Sequence, residues 1–191
     1  MSALPNILTT LRLLAAPVMV ILFVLDDGAQ GGLRWLALIV FLTAAATDLL
    51  DGYLARRWRV VSTFGKLADP IADKVLVLSA LAMLAAYDEV PWWPFVVLLV
   101  REIAVTFGRF AVASGTVIPA SAGGKVKTAL QVIAIGAMLI PMTPDWVDEV
   151  AMWVLIAAVA LAIVTGVDYA GRIVRANSKR RAEQHGDRES V

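Results

Sequence analysis

Six apolar stretches, separated by short polar ones, dominate the chain. Most of them are shorter than the roughly 20 residues that a membrane-spanning helix needs, and each reaches that length only when a polar end is counted with it. The pattern therefore predicts an all-α integral membrane protein with six transmembrane helices. The apolar stretches are residues 13–25, 35–47, 75–87, 94–113, 129–141 and 150–167.

The polar ends of these six segments alternate in position. They lie at the start of the first, third and fifth segments and at the end of the second, fourth and sixth. In a chain that crosses a membrane six times, all six of these ends fall at the same membrane face. We therefore expect them to line one polar cavity that opens to that face.

Basic residues are concentrated at the same face, in two connections and in the C-terminal tail, whereas the opposite connections are mainly acidic. Because cytoplasmic loops carry an excess of lysine and arginine, we expect a multi-pass protein of the cell membrane with the cavity and both termini in the cytoplasm. We expect residues 1–176 to form the membrane domain and residues 177–191 a polar cytoplasmic tail. The basic residues are Arg56, Arg57, Arg59, Lys66, Arg109, Lys125, Lys127, Lys179, Arg180 and Arg181.

Composition supports the membrane assignment. Of the 191 residues, 60% are hydrophobic, compared with about 45–50% in soluble domains, and the mean hydropathy is +0.77. The chain has no cysteine, which excludes disulfide bonds and thiolate metal sites. The first residues lack the basic region and cleavage site of a signal peptide, so we expect no cleaved leader. Membrane lipids are expected partners, and nucleic acid is not.

Four aspartates lie where the second apolar segment ends and the third begins. Asp48 and Asp51 have i, i+3 spacing, and Asp69 and Asp73 have i, i+4 spacing, so on helices each pair shares one face. The link between the pairs is short, which predicts antiparallel neighbouring helices. Four converging carboxylates would repel one another, and a divalent cation is the economical compensation. An all-carboxylate set favours Mg²⁺, Mn²⁺ or Ca²⁺ over zinc, and two ions would suit phosphoryl chemistry.

Small and basic residues accompany these carboxylates. Gly52 and Ala55 lie on the helix face of Asp48, where their small side chains would let a ligand approach the backbone. The guanidinium group of Arg56 could form bidentate hydrogen bonds to a phosphate. An aspartate pair at a helix end can also be a solvated cap, but four at these spacings favour a functional site. A nucleotide-binding loop around Lys125 is rejected, because valine follows the lysine where such loops have serine or threonine.

The full pattern, Asp-x2-Asp-Gly-x2-Ala-Arg-x8-Gly-x3-Asp-x3-Asp, runs from Asp48 to Asp73 and resembles that of the CDP-alcohol phosphotransferase family. The resemblance implies an integral membrane enzyme that transfers a substituted phosphate from a CDP-linked donor to an alcohol and releases CMP. It implies that the four aspartates hold Mg²⁺ or Mn²⁺, that Asp73 is also the general base, and that the protein is a homodimer. The donor-binding residues that we infer are Asn6, Thr9, Gly52, Ala55, Arg56 and Gly65.

Three further stretches, which begin at Asn6, Arg101 and Gly124, resemble the branch of the family that uses CDP-diacylglycerol and glycerol 3-phosphate. An acceptor that carries a phosphate needs cations, and we expect these to be Arg101, Arg109, Lys125 and Lys127. The two lysines have i, i+2 spacing, so one is expected to point inward and the other towards lipid headgroups. Helix capping by Asn6 and Thr9, an Arg101–Glu102 ion pair, and a purely topological role for the lysines stay open.

Other functions are compatible with parts of this pattern. A sibling enzyme that uses inositol phosphate, or phosphatidylglycerol to give cardiolipin, would have the same aspartates. An ion-coupled transporter would also carry intramembrane carboxylates, but transporters commonly show repeated halves and mid-membrane sites. We find no repeat in the chain, and every aspartate of the pattern lies towards one face. The sequence therefore favours catalysis.

Overall fold

The computed structural model describes the backbone of residues 3–58, 63–112 and 122–189 and the side chains of residues 10–47, 74–108 and 123–173. All regular structure in these ranges is helical, which confirms the all-α prediction for the described residues. Each predicted apolar stretch falls on one helix, to within two residues at its ends. The helices are α1 (Ala3–Asp26), α2 (Gly32–Trp58), α3 (Thr63–Ala86), α4 (Trp92–Val112), α5 (Ala122–Leu139) and α6 (Asp145–Glu189).

The helices differ in how apolar they are. Among the residues whose side chains are described, Asp145–Ile173 of α6 is one helical stretch that is long and apolar enough to cross a membrane. Gly32–Thr47 of α2 and Lys74–Ala86 of α3 are apolar but shorter. Buried charged residues such as Arg12 in α1 and Glu102 in α4 make the other helices less apolar. Within the described part of the chain, the structure therefore confirms six helices, and one of them is long and apolar enough to span a membrane.

The outer surface is rich in exposed apolar side chains. They occur on all six helices, and the fraction exposed reaches 70% for Phe107 and 69% for Val167. Soluble monomers rarely expose such extensive apolar surface, whereas a lipid-facing surface requires it. Five of the six tryptophans have described side chains, which are 45% to 65% exposed and lie in the first three turns of α2, α4 and α6, as an interfacial belt would require. They are Trp35, Trp92, Trp93, Trp146 and Trp153.

The core is formed where α1 packs on α2 and α3, and where α6 packs on α4 and α5. Large residues such as Phe23 and Phe41 fill its centre and are fully buried. Small residues bring α6 close to its neighbours, as is common between membrane helices. A Cβ added at Gly166 would lie 3.4 Å from Cγ of Arg101, and one at Gly123 would lie 2.8 Å from Cγ2 of Thr165. Because of this close approach, the hydroxyl of Thr165 lies within hydrogen-bonding distance of the side chain of Arg101.

A buried arginine joins the helix ends where α2 begins. Arg34 is 1% exposed, and both terminal nitrogens of its guanidinium donate to the carboxylate of Glu89, in the α3–α4 connection. It also donates to the backbone carbonyls of Met138 (3.1 Å) and Leu139 (3.3 Å) in α5. Its guanidinium carbon lies 4.0 Å from the ring centroid of Phe23 in α1. One side chain thus holds four parts of the chain together at this end.

Candidate functional site

The four aspartates of the sequence pattern lie on two consecutive helices. Asp48 and Asp51 are in the second half of α2, and Asp69 and Asp73 are in the first half of α3. Both pairs therefore have the helical spacing that the sequence predicts, and the two helices are in contact. The side chains of residues 48–73 lie outside the described residues, so the convergence of the four carboxylates stays a prediction.

The other predicted donor-binding residues also lie outside the described side chains. Asn6 and Thr9 are on the first two turns of α1, Gly52, Ala55 and Arg56 are on α2, and Gly65 is on α3. Among the residues whose side chains are described, no group of three or more histidine, cysteine, aspartate or glutamate side chains could hold a metal ion. The aspartates at 48, 51, 69 and 73 therefore stay the candidate ligands.

A buried ionic cluster begins at the residue that follows Asp73. It consists of four side chains, which we call the Glu102 cluster: Lys74 in α3, Arg101 and Glu102 in α4, and Lys127 in α5. Oε1 of Glu102 accepts hydrogen bonds from Nη1 of Arg101 (2.7 Å) and Nζ of Lys127 (2.5 Å). Oε2 of Glu102 lies 3.0 Å from Nζ of Lys74. One carboxylate thus accepts from cations on three helices, α3, α4 and α5.

Burial makes the charge balance of this cluster important. Glu102 is 6% exposed and Lys127 is 5% exposed. The side chains of Lys74 and Arg101 are 21% and 15% exposed. Three cations and one carboxylate give the four side chains a net charge of +2. Charges that leave water need compensation by partners, and an anion would compensate the unbalanced positive charge of these four side chains.

The hydrogen bonds of Arg101 test whether it pairs with Glu102, one of the alternatives left open by the sequence. Nη1 donates to Glu102, Nε donates to the carbonyl of Ala162 (3.3 Å), and Nη2 donates to Oγ1 of Thr165 (3.1 Å). The ion pair between Arg101 and Glu102 is therefore present, and all three guanidinium nitrogens have partners within the protein. A role of Arg101 in binding the acceptor phosphate stays a prediction, and it would require a shared or exchanged hydrogen bond.

The two lysines at the start of α5 differ as their spacing predicts. Lys127 is buried against Glu102, whereas Lys125 is exposed. Residues two apart on a helix point in different directions, so one lysine faces the bundle and the other faces outward. The side chain of Arg109 lies outside the described residues. Its role, like those of the two lysines, stays a prediction.

Two cations near the predicted site, Lys74 and Arg12, were not assigned a binding role from the sequence. Lys74 directly follows the predicted base Asp73 and belongs to the Glu102 cluster. Arg12 lies on α1, one turn after the predicted donor-binding residue Thr9, and is 2% exposed. Charged residues within apolar helices are usually functional, and this signal could have identified both from the sequence alone.

An apolar groove lies between α4 and α6 beside the cluster. Its volume is about 420 Å³, and Arg101 is the one charged residue among those that line it. The other lining residues include Val97, Ala104, Gly166 and Ile173. The groove therefore places an apolar surface next to a charged member of the Glu102 cluster.

The chain is similar to known proteins over most of its length. Residues 2–164 match the sequence profile of the family described as CDP-alcohol phosphatidyltransferase. A "probable phosphatidylglycerophosphate synthase" of Mycobacterium tuberculosis (strain H37Rv) is 44% identical over 172 residues, which are 90% of this chain and 82% of the relative. A "CDP-diacylglycerol--glycerol-3-phosphate 3-phosphatidyltransferase" of Bacillus subtilis (strain 168) is 36% identical over 181 residues, 87% of this chain and 92% of the relative. A protein of the same name from Rickettsia typhi is 36% identical over 176 residues, 88% and 96% of the two chains.

Proposed function

The chain belongs to the CDP-alcohol phosphatidyltransferase family, and we propose that it transfers the phosphatidyl group of CDP-diacylglycerol to glycerol 3-phosphate. Glycerol 3-phosphate is proposed as the acceptor because the chain is 36–44% identical, over about nine-tenths of its length, to relatives that are named for this reaction. The Glu102 cluster supports it, because its net charge of +2 suits an acceptor that brings its own phosphate. The products are phosphatidylglycerophosphate and CMP.

The proposed reaction is one displacement at phosphorus. Asp73 accepts the proton of the C1 hydroxyl of glycerol 3-phosphate, and that oxygen forms a bond to the lipid-side phosphorus of CDP-diacylglycerol. The bond between this phosphorus and the oxygen that bridges to the cytidine phosphate breaks, so CMP leaves with the bond's electron pair. The proton ends on Asp73 and passes to solvent.

Divalent cations fit the donor set of this chain. The four aspartates supply only oxygen ligands, at helical spacings on two helices in contact, and such ligands favour Mg²⁺ or Mn²⁺. We propose that Asp48, Asp51, Asp69 and Asp73 hold two ions. When bound, the ions supply positive charge to the entering and leaving oxygens.

We propose two groups of substrate-binding residues around these aspartates. The first group contacts the CDP-linked donor, with small residues that admit the nucleotide and Arg56 at its diphosphate. The second group contacts the phosphate of the acceptor, and two of its members, Arg101 and Lys127, belong to the Glu102 cluster. The donor group is Asn6, Thr9, Gly52, Ala55, Arg56 and Gly65, and the acceptor group is Arg101, Arg109, Lys125 and Lys127.

The experiment that tests the function measures CMP release by purified protein in detergent micelles containing CDP-diacylglycerol. CMP is expected to form only when glycerol 3-phosphate and Mg²⁺ or Mn²⁺ are both present, and to stop when the metal is chelated. Inositol phosphate and phosphatidylglycerol are expected to react at least about tenfold more slowly, because the site binds a different acceptor. Faster release with either alternative would assign the chain to that sibling activity, and no release with any acceptor would contradict the enzymatic proposal.

We further propose a topology of six spans in the cell membrane. The 1–176 domain would contain the spans and a cavity open to the cytoplasm, the 177–191 tail would be cytoplasmic, and two copies would form a homodimer. The exposed apolar surface, the tryptophans at the starts of α2, α4 and α6, and the basic residues at the other helix ends support this orientation.

The absence of native cysteine makes this topology directly testable. A membrane-impermeant maleimide added to intact cells is expected to label Ala29→Cys, in the exposed α1–α2 connection, and to leave Ser178→Cys, in the tail, unlabelled. After the cells are opened, both variants are expected to react. Labelling of Ser178→Cys in intact cells would reverse the proposed orientation.

A further inference from the structure

Glu102 connects more helices than any predicted substrate-binding residue with a described side chain. Its carboxylate reaches Lys74 on α3 and Lys127 on α5, and it pairs with its neighbour Arg101 on α4. Arg101 extends the connection to α6 through the carbonyl of Ala162 and the hydroxyl of Thr165. The hydrogen bonds that start from Glu102 therefore fix four helices relative to one another.

Within this cluster, the three acceptors that the Lys74 ammonium contacts all belong to α4. Its Nζ lies 3.0 Å from Oε2 of Glu102, 2.6 Å from Oγ1 of Thr106 and 3.5 Å from the backbone carbonyl of Glu102. A lysine ammonium has three protons to donate, so these three acceptors account for its donor capacity. Lys74 thus acts as an anchor of α3 on α4.

The position of this anchor in the sequence links it to the proposed chemistry. Lys74 directly follows Asp73, and consecutive residues in an α-helix are related by about 100° of rotation and 1.5 Å of rise. Holding the side chain of Lys74 against α4 therefore sets both the rotation and the height of the turn that carries Asp69 and Asp73. A misplacement of about 1 Å at a reacting group can cost about 10²-fold in rate.

We propose that Glu102 is a positioning residue for the transfer reaction. By holding Lys74, and through it the Asp69–Asp73 turn of α3, Glu102 sets the orientation of the carboxylates without touching substrate. This proposal rests on the proposed function, which assigns Asp69 and Asp73 to the metal site. It differs from a purely stabilising ion cluster in one respect, because a stabilising cluster would affect folding but not turnover or metal affinity of the folded protein.

Two threonines allow the positioning role to be tested without removing a buried charge. Oγ1 of Thr106 accepts from Lys74, and Oγ1 of Thr165 accepts from Arg101. Each hydroxyl also donates to a carbonyl four residues earlier in its own helix, at 2.7 Å. Thr106→Val and Thr165→Val therefore make the same chemical change, and only the first loosens the anchor beside Asp73.

The readouts are kcat and KM for CMP release, and Mn²⁺ binding to the substrate-free protein measured from the free-ion electron paramagnetic resonance signal. Thr106→Val is expected to lower kcat and Mn²⁺ affinity about five- to tenfold, near the lower end of what supporting residues of metal sites contribute. Thr165→Val is expected to change both by less than about twofold, since Arg101 anchors α6 rather than α3. Equal effects of the two variants would overturn the proposal.

A second pair of variants compares the Glu102 cluster with the Arg34–Glu89 ion pair. Glu102→Gln is expected to lower kcat and Mn²⁺ affinity about 10- to 100-fold, whereas Glu89→Gln, which disrupts the pair with Arg34, is expected to leave both near wild type in the folded protein. Wild-type kcat and Mn²⁺ affinity in folded Glu102→Gln would contradict the proposal. If Glu102→Gln does not fold, the threonine pair decides.

The Mn²⁺ measurement also separates this proposal from the proposed function. If wild-type protein binds Mn²⁺ but releases no CMP with any acceptor, the function is wrong, and the comparison of Mn²⁺ affinities still tests the positioning role. If wild-type protein releases CMP and Thr106→Val matches Thr165→Val in both readouts, the function stands and the positioning role is wrong.

Discussion

Replacing Asp73 by asparagine is expected to slow CMP release about 10³-fold at saturating substrates, within the usual range for loss of a general base. The asparagine side chain has nearly the same shape but cannot accept the proton of the acceptor hydroxyl, and it also removes one negative ligand from the proposed metal site. The measurement is the initial rate of CMP release in detergent micelles with CDP-diacylglycerol, glycerol 3-phosphate and excess Mg²⁺ or Mn²⁺.

Asp168→Asn is the matched control for this change. Asp168 pairs with Arg172 at 2.8 Å on the outer part of α6, and both side chains are about half exposed. The same loss of one carboxylate there is expected to change the rate by less than about twofold, since exposed ion pairs contribute little. If Asp73→Asn retained a tenth or more of wild-type turnover, Asp73 would not be the base, and the proton acceptor would have to be sought elsewhere.

Replacing Arg34 by methionine is expected to lower the free energy of unfolding by about 3–5 kcal/mol, as is typical when one partner of a buried pair is removed. The change leaves the carboxylate of Glu89 and two carbonyls of α5 without the donor that now satisfies them, and it removes the cation over the ring of Phe23. The measurement is the unfolding transition in mixed micelles of increasing sodium dodecyl sulfate, followed by circular dichroism.

Arg172→Met is the control for stability. Its ion pair with Asp168 is exposed, so its loss is expected to cost no more than about 1 kcal/mol. Arg34 lies 14 residues before Asp48 on α2, or about 21 Å along the helix, so turnover per folded Arg34→Met molecule is expected to stay near wild type. Equal destabilisation by the two variants would show that the Arg34 pair is energetically no different from a surface pair.

The pairings in the Arg34–Glu89 ion pair and in most of the Glu102 cluster could not be predicted from the sequence. Arg34 and Glu89 are 55 residues apart in the chain, and the sequence indicated only that each belonged to a connection at the less basic face. In the Glu102 cluster, the pairing with Arg101 was one of the alternatives, because the two residues are adjacent. Lys74 and Lys127, 28 and 25 residues from Glu102, could not be assigned as partners, since their contact depends on how α3, α4 and α5 are arranged in the folded bundle.

The sequence by itself determined the properties that depend on local spacing. The apolar pattern predicted the number and location of the helices, and the pattern from Asp48 to Asp73 predicted the family, which the comparisons confirm. The different surroundings of Lys125 and Lys127 were also predictable. All of these follow from the 3.6-residue period of an α-helix or from residues close together in the chain.

The tertiary structure decided which buried charges meet. A charged side chain inside an apolar bundle must find a partner, but the sequence does not specify which of several cations on different helices reaches a given carboxylate. The close approach of α6 at Gly166, the packing of α3 on α4 and the contact of the Lys127 side chain from α5 selected Glu102 as the shared acceptor. As a result, Lys74, which is anchored to Glu102, directly follows Asp73 of the proposed site.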